Sequence, residues 1–338
     1  MEKKRLVYID VIRFFAMILV VLAHSCAALI IRRPNNLNWQ VANSLVVVTE
    51  VAVPLFFMIS GSAILTSEKT YSLKYLFQHR LVRILVPFFV WSVIAAFASA
   101  AINTRMKLDP IESILMMYHR PVLVAYWFIY PLITLYLLSP LLKAMVDQVD
   151  DGMLTYLLVL WLVINIALPE VVRSTPHSFG VYFDAYPSGK VIMSQSLGYF
   201  ILGYRLTRGK HRRINPWLNS LLIIILLAIN IVISFVSLDK QFRYLDILSG
   251  INVPLIAILI YLSLRSLEPH YPRWFARVIE AAAPLTYGVY LLHGIVILTI
   301  EQFIKYTNFG YIFALTLVIS MLVILILHSI PFVRRIFT

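Results

Sequence analysis

Residues 9–31 read IDVIRFFAMILVVLAHSCAALII, an apolar run long enough to cross a bilayer core, which takes about 20 residues as a helix. Three ionisable groups interrupt it: Asp10, Arg13 and His24. The basic start at Lys3, Lys4 and Arg5 and the small residues Ser25, Cys26 and Ala27 near the end imitate a secretion signal. A cleaved signal has no use for three ionisable groups, whereas a retained helix facing a polar cavity does. The run is therefore read as the first of a series of spans.

The same pattern recurs along the chain. Apolar runs at about 9–31, 41–65, 82–102, 122–142, 153–171, 190–206, 217–237, 247–264, 281–304 and 309–330 are separated by polar, basic or Pro-containing breaks. With 338 residues, 61% hydrophobic and only 13% charged, ten such helices use most of the apolar residues. The expectation is an all-α polytopic membrane protein of about ten transmembrane helices, one membrane-embedded domain over 1–338 with short connections. A soluble enzyme, a disulfide scaffold and a β-barrel are excluded. Cys26, the single cysteine, permits no internal disulfide and no thiolate metal cluster.

The net charge of +13 would suggest nucleic acid in a soluble protein; here it reports topology. An even number of spans puts both termini on one side. Eighteen Lys and Arg fall in the connections of that side and ten on the other, with Arg13 inside the first span. Both termini are therefore expected in the cytoplasm. The run from Arg205 to Arg213 is the strongest single contribution, as a topology anchor touching anionic lipid. Two longer outward connections, about 103–121 and 172–189, are read as loops. The aromatic stretch Tyr182-Phe183-Asp184-Ala185-Tyr186 fits either an interfacial belt or a sugar-stacking surface.

An ionisable side chain inside a span costs about 2.5–3.5 kcal/mol on insertion scales, so each is a functional candidate. They are few: Asp10, Arg13, His24, Glu50, His293, Glu301 and His328. Arg13 and His24 are eleven residues apart, three helical turns plus about 20°, and so share a face with about 16 Å between them. Asp10 stands three residues before Arg13 and can pair with it. A snorkelling Arg and a hydrogen-bonded interhelical His would also account for the pair. Arg80 and Arg83, at the inner start of the third span, can reach one anionic group, and guanidinium suits phosphate; a plain topology signal explains the same charges. Ser60 and Gly61 permit close approach of a helix or of a ligand. Glu50, Tyr290 and His293 lie at a depth from which any could hydrogen-bond His24 and set its tautomer; His293 could equally be a satisfied core histidine.

These residues resemble the acyltransferase-3 family of membrane O-acyltransferases. Tyr8-Ile9-Asp10-Val11-Ile12-Arg13 through His24 is similar to its Arg-to-His signature. Phe56-Phe57-Met58-Ile59-Ser60-Gly61 is similar to its span-two motif and Arg80-Leu81-Val82-Arg83 to its Arg-x-x-Arg motif. Trp127-Phe128 and Tyr290-Leu291-Leu292-His293 resemble its recurrent aromatic and His-bearing segments. The likeness runs in family order over essentially the whole chain. It is nearest to the stand-alone branch, which lacks an extracytoplasmic hydrolase-like domain and includes the O-acetyltransferase of enterobacterial common antigen. Trp39-Gln40-Val41-Ala42-Asn43 carries that likeness, while Glu50 departs from it.

The resemblance implies a multi-pass protein of the bacterial inner membrane. Its donor would be cytoplasmic acyl-CoA, most often acetyl-CoA, and its acceptor a hydroxyl of a cell-surface polysaccharide or lipid-linked glycan. Arg13, Arg80 and Arg83, with Ser60, would bind the donor, Asp10 would hold Arg13, and His24 would be the general base on the acceptor hydroxyl, directly or through a covalent acyl step. No permanently bound cofactor, metal or nucleic acid is implied. Buried charge in a polytopic bundle also marks transport paths, so a transporter or flippase for a small polar solute or lipid-linked glycan is the alternative. Paired helix interruptions in two matching halves would favour it, and the sequence shows none.

Overall fold

The structure is a computed structural model that describes residues 6–34, 36–102, 109–169, 194–208, 215–238 and 245–338. The aromatic stretch 182–186, all of the connection 172–189, residues 103–108 of the other, and Lys210, Arg212 and Arg213 of the basic run lie outside the described residues; the connection expected as a loop over 103–121 holds a short helix at Pro110–Leu115.

Among the described residues every regular element is helical. The α-helices of seven residues or more are, in chain order, α1 (Val7–Arg32), α2 (Leu37–Thr49), α3 (Ala52–Leu65), α4 (Val82–Ile102), α5 (Ile129–Gln148), α6 (Asp151–Leu162) and α7 (Gln195–Arg208). They are followed by α8 (Pro216–Val236), α9 (Asp246–Leu267), α10 (Arg273–Ala282), α11 (Thr286–Ile300), α12 (Phe309–Ser329) and α13 (Pro331–Phe337). Eight stretches are long and apolar enough to span: Val7–Arg32, Leu37–Leu65, Leu73–Ile102, Val124–Gln148, Pro216–Val236, Leu248–His270, Arg273–Ile300 and Phe309–Ser329. The two remaining expected spans correspond to shorter helices, Asp151–Ala167 and Gln195–Arg208. The chain is thus an all-α, multi-pass membrane protein.

Local chemistry sets several boundaries. Asn215 caps α8 by accepting from the amides of Trp217 and Leu218, with Pro216 in the first turn, where its missing N–H costs nothing. Asp150 caps α6 through the Met153 amide at 2.7 Å. The second span is broken between α2 and α3 at Glu50 and Val51. Pro54 has no N–H to give the Glu50 carbonyl, four residues earlier, and the helix restarts at Ala52. Glu50 lies in that turn, midway along the Leu37–Leu65 stretch as expected, with its side chain exposed.

Packing divides the chain into two compact units: Met1–Ile12, Glu50–Tyr71 and Leu138–Tyr271 form the first, and Arg13–Thr49, Ser72–Leu137 and Pro272–Thr338 the second. In the first unit α3 and α7 cross with backbones in contact. A Cβ on Gly61 would lie 1.8 Å from the Phe200 carbonyl oxygen, and one on Gly203 would lie 1.9 Å from that of Met58. Both positions require glycine, and with no side chain between them the helices gain dispersion contact that lipid cannot supply.

Polar side chains also tie the same unit together. The Tyr261 hydroxyl lies 2.6 Å from Ser62 Oγ, 2.6 Å from Thr207 Oγ1 and 3.2 Å from the Tyr8 hydroxyl, a node joining α9, α3, α7 and α1. Asn219 donates to the Leu259 carbonyl and Ser263, and Asn252 to Asn230 Oδ1 at 2.8 Å, linking α8 to α9. Lys143, buried on α5, reaches Asp147 at 2.7 Å, Glu68 at 3.1 Å and the Leu65 carbonyl at 3.3 Å.

The second unit holds α11 at its centre, buried over most of its length. The Tyr287 hydroxyl donates to the Ile84 carbonyl at 2.9 Å, and the Tyr126 hydroxyl to that of Leu291 at 2.6 Å. Tyr290 returns a bond to the Ala125 carbonyl. These tyrosines fix α11 in depth and rotation against α4 and the segment before α5. Trp91 on α4 donates to the Phe337 carbonyl at 3.1 Å and so docks α13.

Candidate active site

Residue Arg13 and everything after it in α1 belong to the second unit, and with it come most of the expected site residues. Arg13 and His24 lie on one unbroken helix. Their separation is therefore set by helical rise at about 16 Å along the axis.

At the His24 end, α11 brings up a second imidazole. The His24 and His293 ring centroids are 5.2 Å apart with the planes tilted by 49°. His293 is fully buried, while His24 is half-buried. Nδ1 of His293 lies 2.5 Å from the Tyr290 carbonyl, three residues earlier on α11. A carbonyl only accepts, so Nδ1 carries the proton and Nε2 presents its lone pair. That Nε2 is buried without a hydrogen-bond partner among the described residues. The reading of His293 as a satisfied core histidine therefore accounts for one ring nitrogen and not the other. The Tyr290 ring, 5.7 Å from that of His293, is buried, and its hydroxyl is spent on the Ala125 carbonyl.

At the Arg13 end the second cation is Arg80. It sits in a π-helical turn, Leu76–Leu81, that precedes α4, with its guanidinium 5.5 Å from the centre of the Tyr75 ring. Tyr75 is itself stacked on His79 at 4.8 Å and 14°. Tyr136 of α5 is close enough to Arg13 and to Arg80 to feel both charges. Arg80 is half-buried and Arg83, on α4, is exposed. The junction of the wide π turn with α4 falls between them, and π turns of this kind recur at functional sites. Spacing alone suggested two equivalent arginines; the fold makes them unequal.

Asp10, Glu50 and Ser60 belong to the first unit. Asp10 is buried, Glu50 exposed and Ser60 half-buried, beside the Gly61 that meets the α7 backbone. Beyond the spans, the Glu301 carboxyl at the end of α11 is raised by burial and drawn back by the charge of Arg32. His328 of α12 contacts Thr338 Oγ1 at 3.1 Å. Among the described residues no group of three His, Cys, Asp or Glu could hold a metal ion.

Sequence reasoning missed Tyr75, Tyr126 and Tyr136. Tyr75 stands five residues before Arg80, near the spacing of a π turn, and was in principle legible. Nothing local marks Tyr126 or Tyr136, whose contacts are to distant segments.

The arrangement offers an anion-binding end, with two guanidinium groups and a tyrosine, and a base-bearing end with two imidazoles. This is a layout for a long ligand with an anionic head and a reactive tail. The family model described as an acyltransferase domain, that of the acyltransferase-3 family, matches residues 6–329. No curated protein and no solved structure matches the chain. With nearly its whole length matched, the chain belongs to the acyltransferase-3 family and is a membrane acyltransferase.

Proposed function

We propose that the protein is an O-acyltransferase of the bacterial inner membrane. It moves an acyl group, acetyl in the simplest case, from cytoplasmic acyl-CoA to a hydroxyl of a cell-surface polysaccharide or lipid-linked glycan. The observation that carries this reading is the ladder on α1. Arg13, within charge reach of the same Tyr136 as Arg80, stands about 16 Å along the helix from His24 and the His293 imidazole.

In this reading the phosphates of CoA lie against Arg13 and Arg80, with Arg83 adding long-range attraction from its exposed position. The pantetheine arm extends along the α1 face and presents the thioester near His24. His24 takes the proton of the acceptor hydroxyl as its oxygen attacks the thioester carbonyl. The tetrahedral intermediate collapses with loss of CoA thiolate, which recovers the proton from the His24 imidazolium. Asp10, three residues before Arg13 on α1, balances its charge. The reaction as written needs no resident cofactor or metal.

The test is purified protein with labelled acetyl-CoA and a panel of glycolipid acceptors, comparing wild type with His24→Ala and Arg13→Ala. Loss of transfer in both, with donor binding lost only in Arg13→Ala, is the expected outcome. Unchanged transfer by His24→Ala would remove that residue from the mechanism. Solute movement without acyl transfer would favour the transport class instead.

A further inference from the structure

Resting on the assignment of His24 as base, we infer that His293 is its positioning residue: Nε2 of His293 accepts an N–H from His24 and so fixes which His24 nitrogen carries the lone pair. A neutral imidazole has one donor nitrogen and one acceptor. Left alone, His24 would divide between two tautomers, of which one presents N–H rather than a lone pair to the acceptor hydroxyl. Something has to select the tautomer, and the atom that does so must be an acceptor.

Three observations assign that part to His293. Its own tautomer is fixed, because Nδ1 is held at 2.5 Å by the Tyr290 carbonyl, which accepts only. Its remaining nitrogen is a buried lone pair without a partner among the described residues. The neighbouring ring is that of His24, at 5.2 Å between centroids. Each imidazole nitrogen stands about 1.1 Å from its ring centre, so an N–H···N bond of about 2.9 Å aligned with the centres needs about 5.1 Å between them. The ring separation is that of an aligned bond, while Nε2 of His293 as it stands is unbonded among the described residues, so the inferred bond forms when a His24 nitrogen is directed at it. The remaining polar neighbours on α11 and the segment before α5 are already committed. The Tyr290 hydroxyl donates to the Ala125 carbonyl and the Tyr126 hydroxyl to that of Leu291.

α11 is built to hold this geometry. The Tyr287, Tyr126 and Tyr290 bonds lock its rotation and depth, so Nε2 of His293 stays where it is while His24 shuttles a proton. When His24 becomes imidazolium its N–H is a stronger donor, and the bond to a neutral acceptor strengthens at the step where charge develops. His293 therefore need not touch either substrate to affect the rate.

The experiment compares His293→Leu, His293→Gln and His293→Asn with His24→Ala and wild type, measuring kcat and KM for acetyl-CoA and for an active glycolipid acceptor. Gln can place a carbonyl oxygen near the position of Nε2, and Asn near that of Nδ1. For His293→Leu, kcat is expected to fall about 10- to 100-fold with both KM values unchanged, the scale of a misoriented general base. Gln should recover most of the loss and Asn little. If Leu fails to fold, the Gln and Asn pair decides, and equal activity in those two overturns the inference. Wild-type kcat in His293→Leu alongside an inactive His24→Ala overturns it too, leaving His24 in place. An active His24→Ala with an inactive His293→Leu overturns both assignments, because the imidazole at 293 then works without the one at 24.

Discussion

The unequal placement of Arg80 and Arg83 yields a quantitative test of how the donor is held. Arg80 is half-buried, leans on Tyr75 at 5.5 Å and shares Tyr136 with Arg13, so its guanidinium is preorganised and partly shielded from solvent. A charge-assisted contact from such a group to phosphate is worth about 1.5–3 kcal/mol. At about 1.4 kcal/mol per factor of ten, Arg80→Ala should raise KM for acetyl-CoA by about 10- to 150-fold. Arg83 is exposed, where screening leaves under about 1 kcal/mol, and Arg83→Ala should cost at most about fivefold. The assay is initial-rate kinetics with acetyl-CoA and with a short acetyl thioester lacking the nucleotide. For the truncated donor Arg80→Ala should change little, since the missing contact is to a group the substrate does not carry. Arg80→Lys should fall between, keeping charge and losing the planar fork. Equal effects of the two alanine variants, or an equal loss with the truncated thioester, would refute the reasoning.

Three further outcomes concern the packing of the first unit. Gly203→Ala should lower the melting temperature of the detergent-purified protein by several degrees. Its Cβ would sit 1.9 Å from the Met58 carbonyl oxygen, α3 and α7 must part by over 1 Å, and overpacking of this kind costs about 1–3 kcal/mol. Gly310→Ala is the control: nothing lies within 4 Å, and the helix preference for alanine should leave stability equal or slightly raised. Tyr261→Phe keeps the ring and removes the hydroxyl joining Ser62, Thr207 and Tyr8, a loss of about 1–2 kcal/mol readable by thermal melting. Lys143→Met leaves Asp147 with Tyr71 and Tyr204 as donors, so about 2 kcal/mol is expected. Adding Asp147→Asn should restore part of that loss.

Much of the fold was legible because bilayer insertion imposes a coarse rule that hydropathy satisfies directly. The long helices fall near the apolar runs, and Asn215 caps α8 as its side chain and following proline dictate. The break at Glu50 was also legible. Pro54 removes the donor for the Glu50 carbonyl, yet an apolar run on both sides hides the interruption from any count of hydropathy. The close crossing of α3 and α7 was half legible: Gly61 marked an approach, and nothing local named Phe200 as the surface approached.

The site divides along the same line, between spacing within one helix and proximity between helices. Arg13 and His24 were placed correctly relative to each other because both lie on α1, where rise per residue is fixed by backbone hydrogen bonding. Arg80 and Arg83 defeated the same reasoning because a π turn lies at their junction, and an i, i+3 argument holds only while the helix stays α. Sequence depth names His293 as one of three candidate neighbours of His24, and choosing among them lies beyond that reasoning. The distance of His293 from His24 depends on where α11 stops sliding, and that is settled by the hydroxyls of Tyr126 and Tyr290 and by Tyr287 on the Ile84 carbonyl. These three tyrosine hydroxyls thus set the register that brings two imidazoles within reach. Substituting any one of them by phenylalanine would act on the chemistry only through that register.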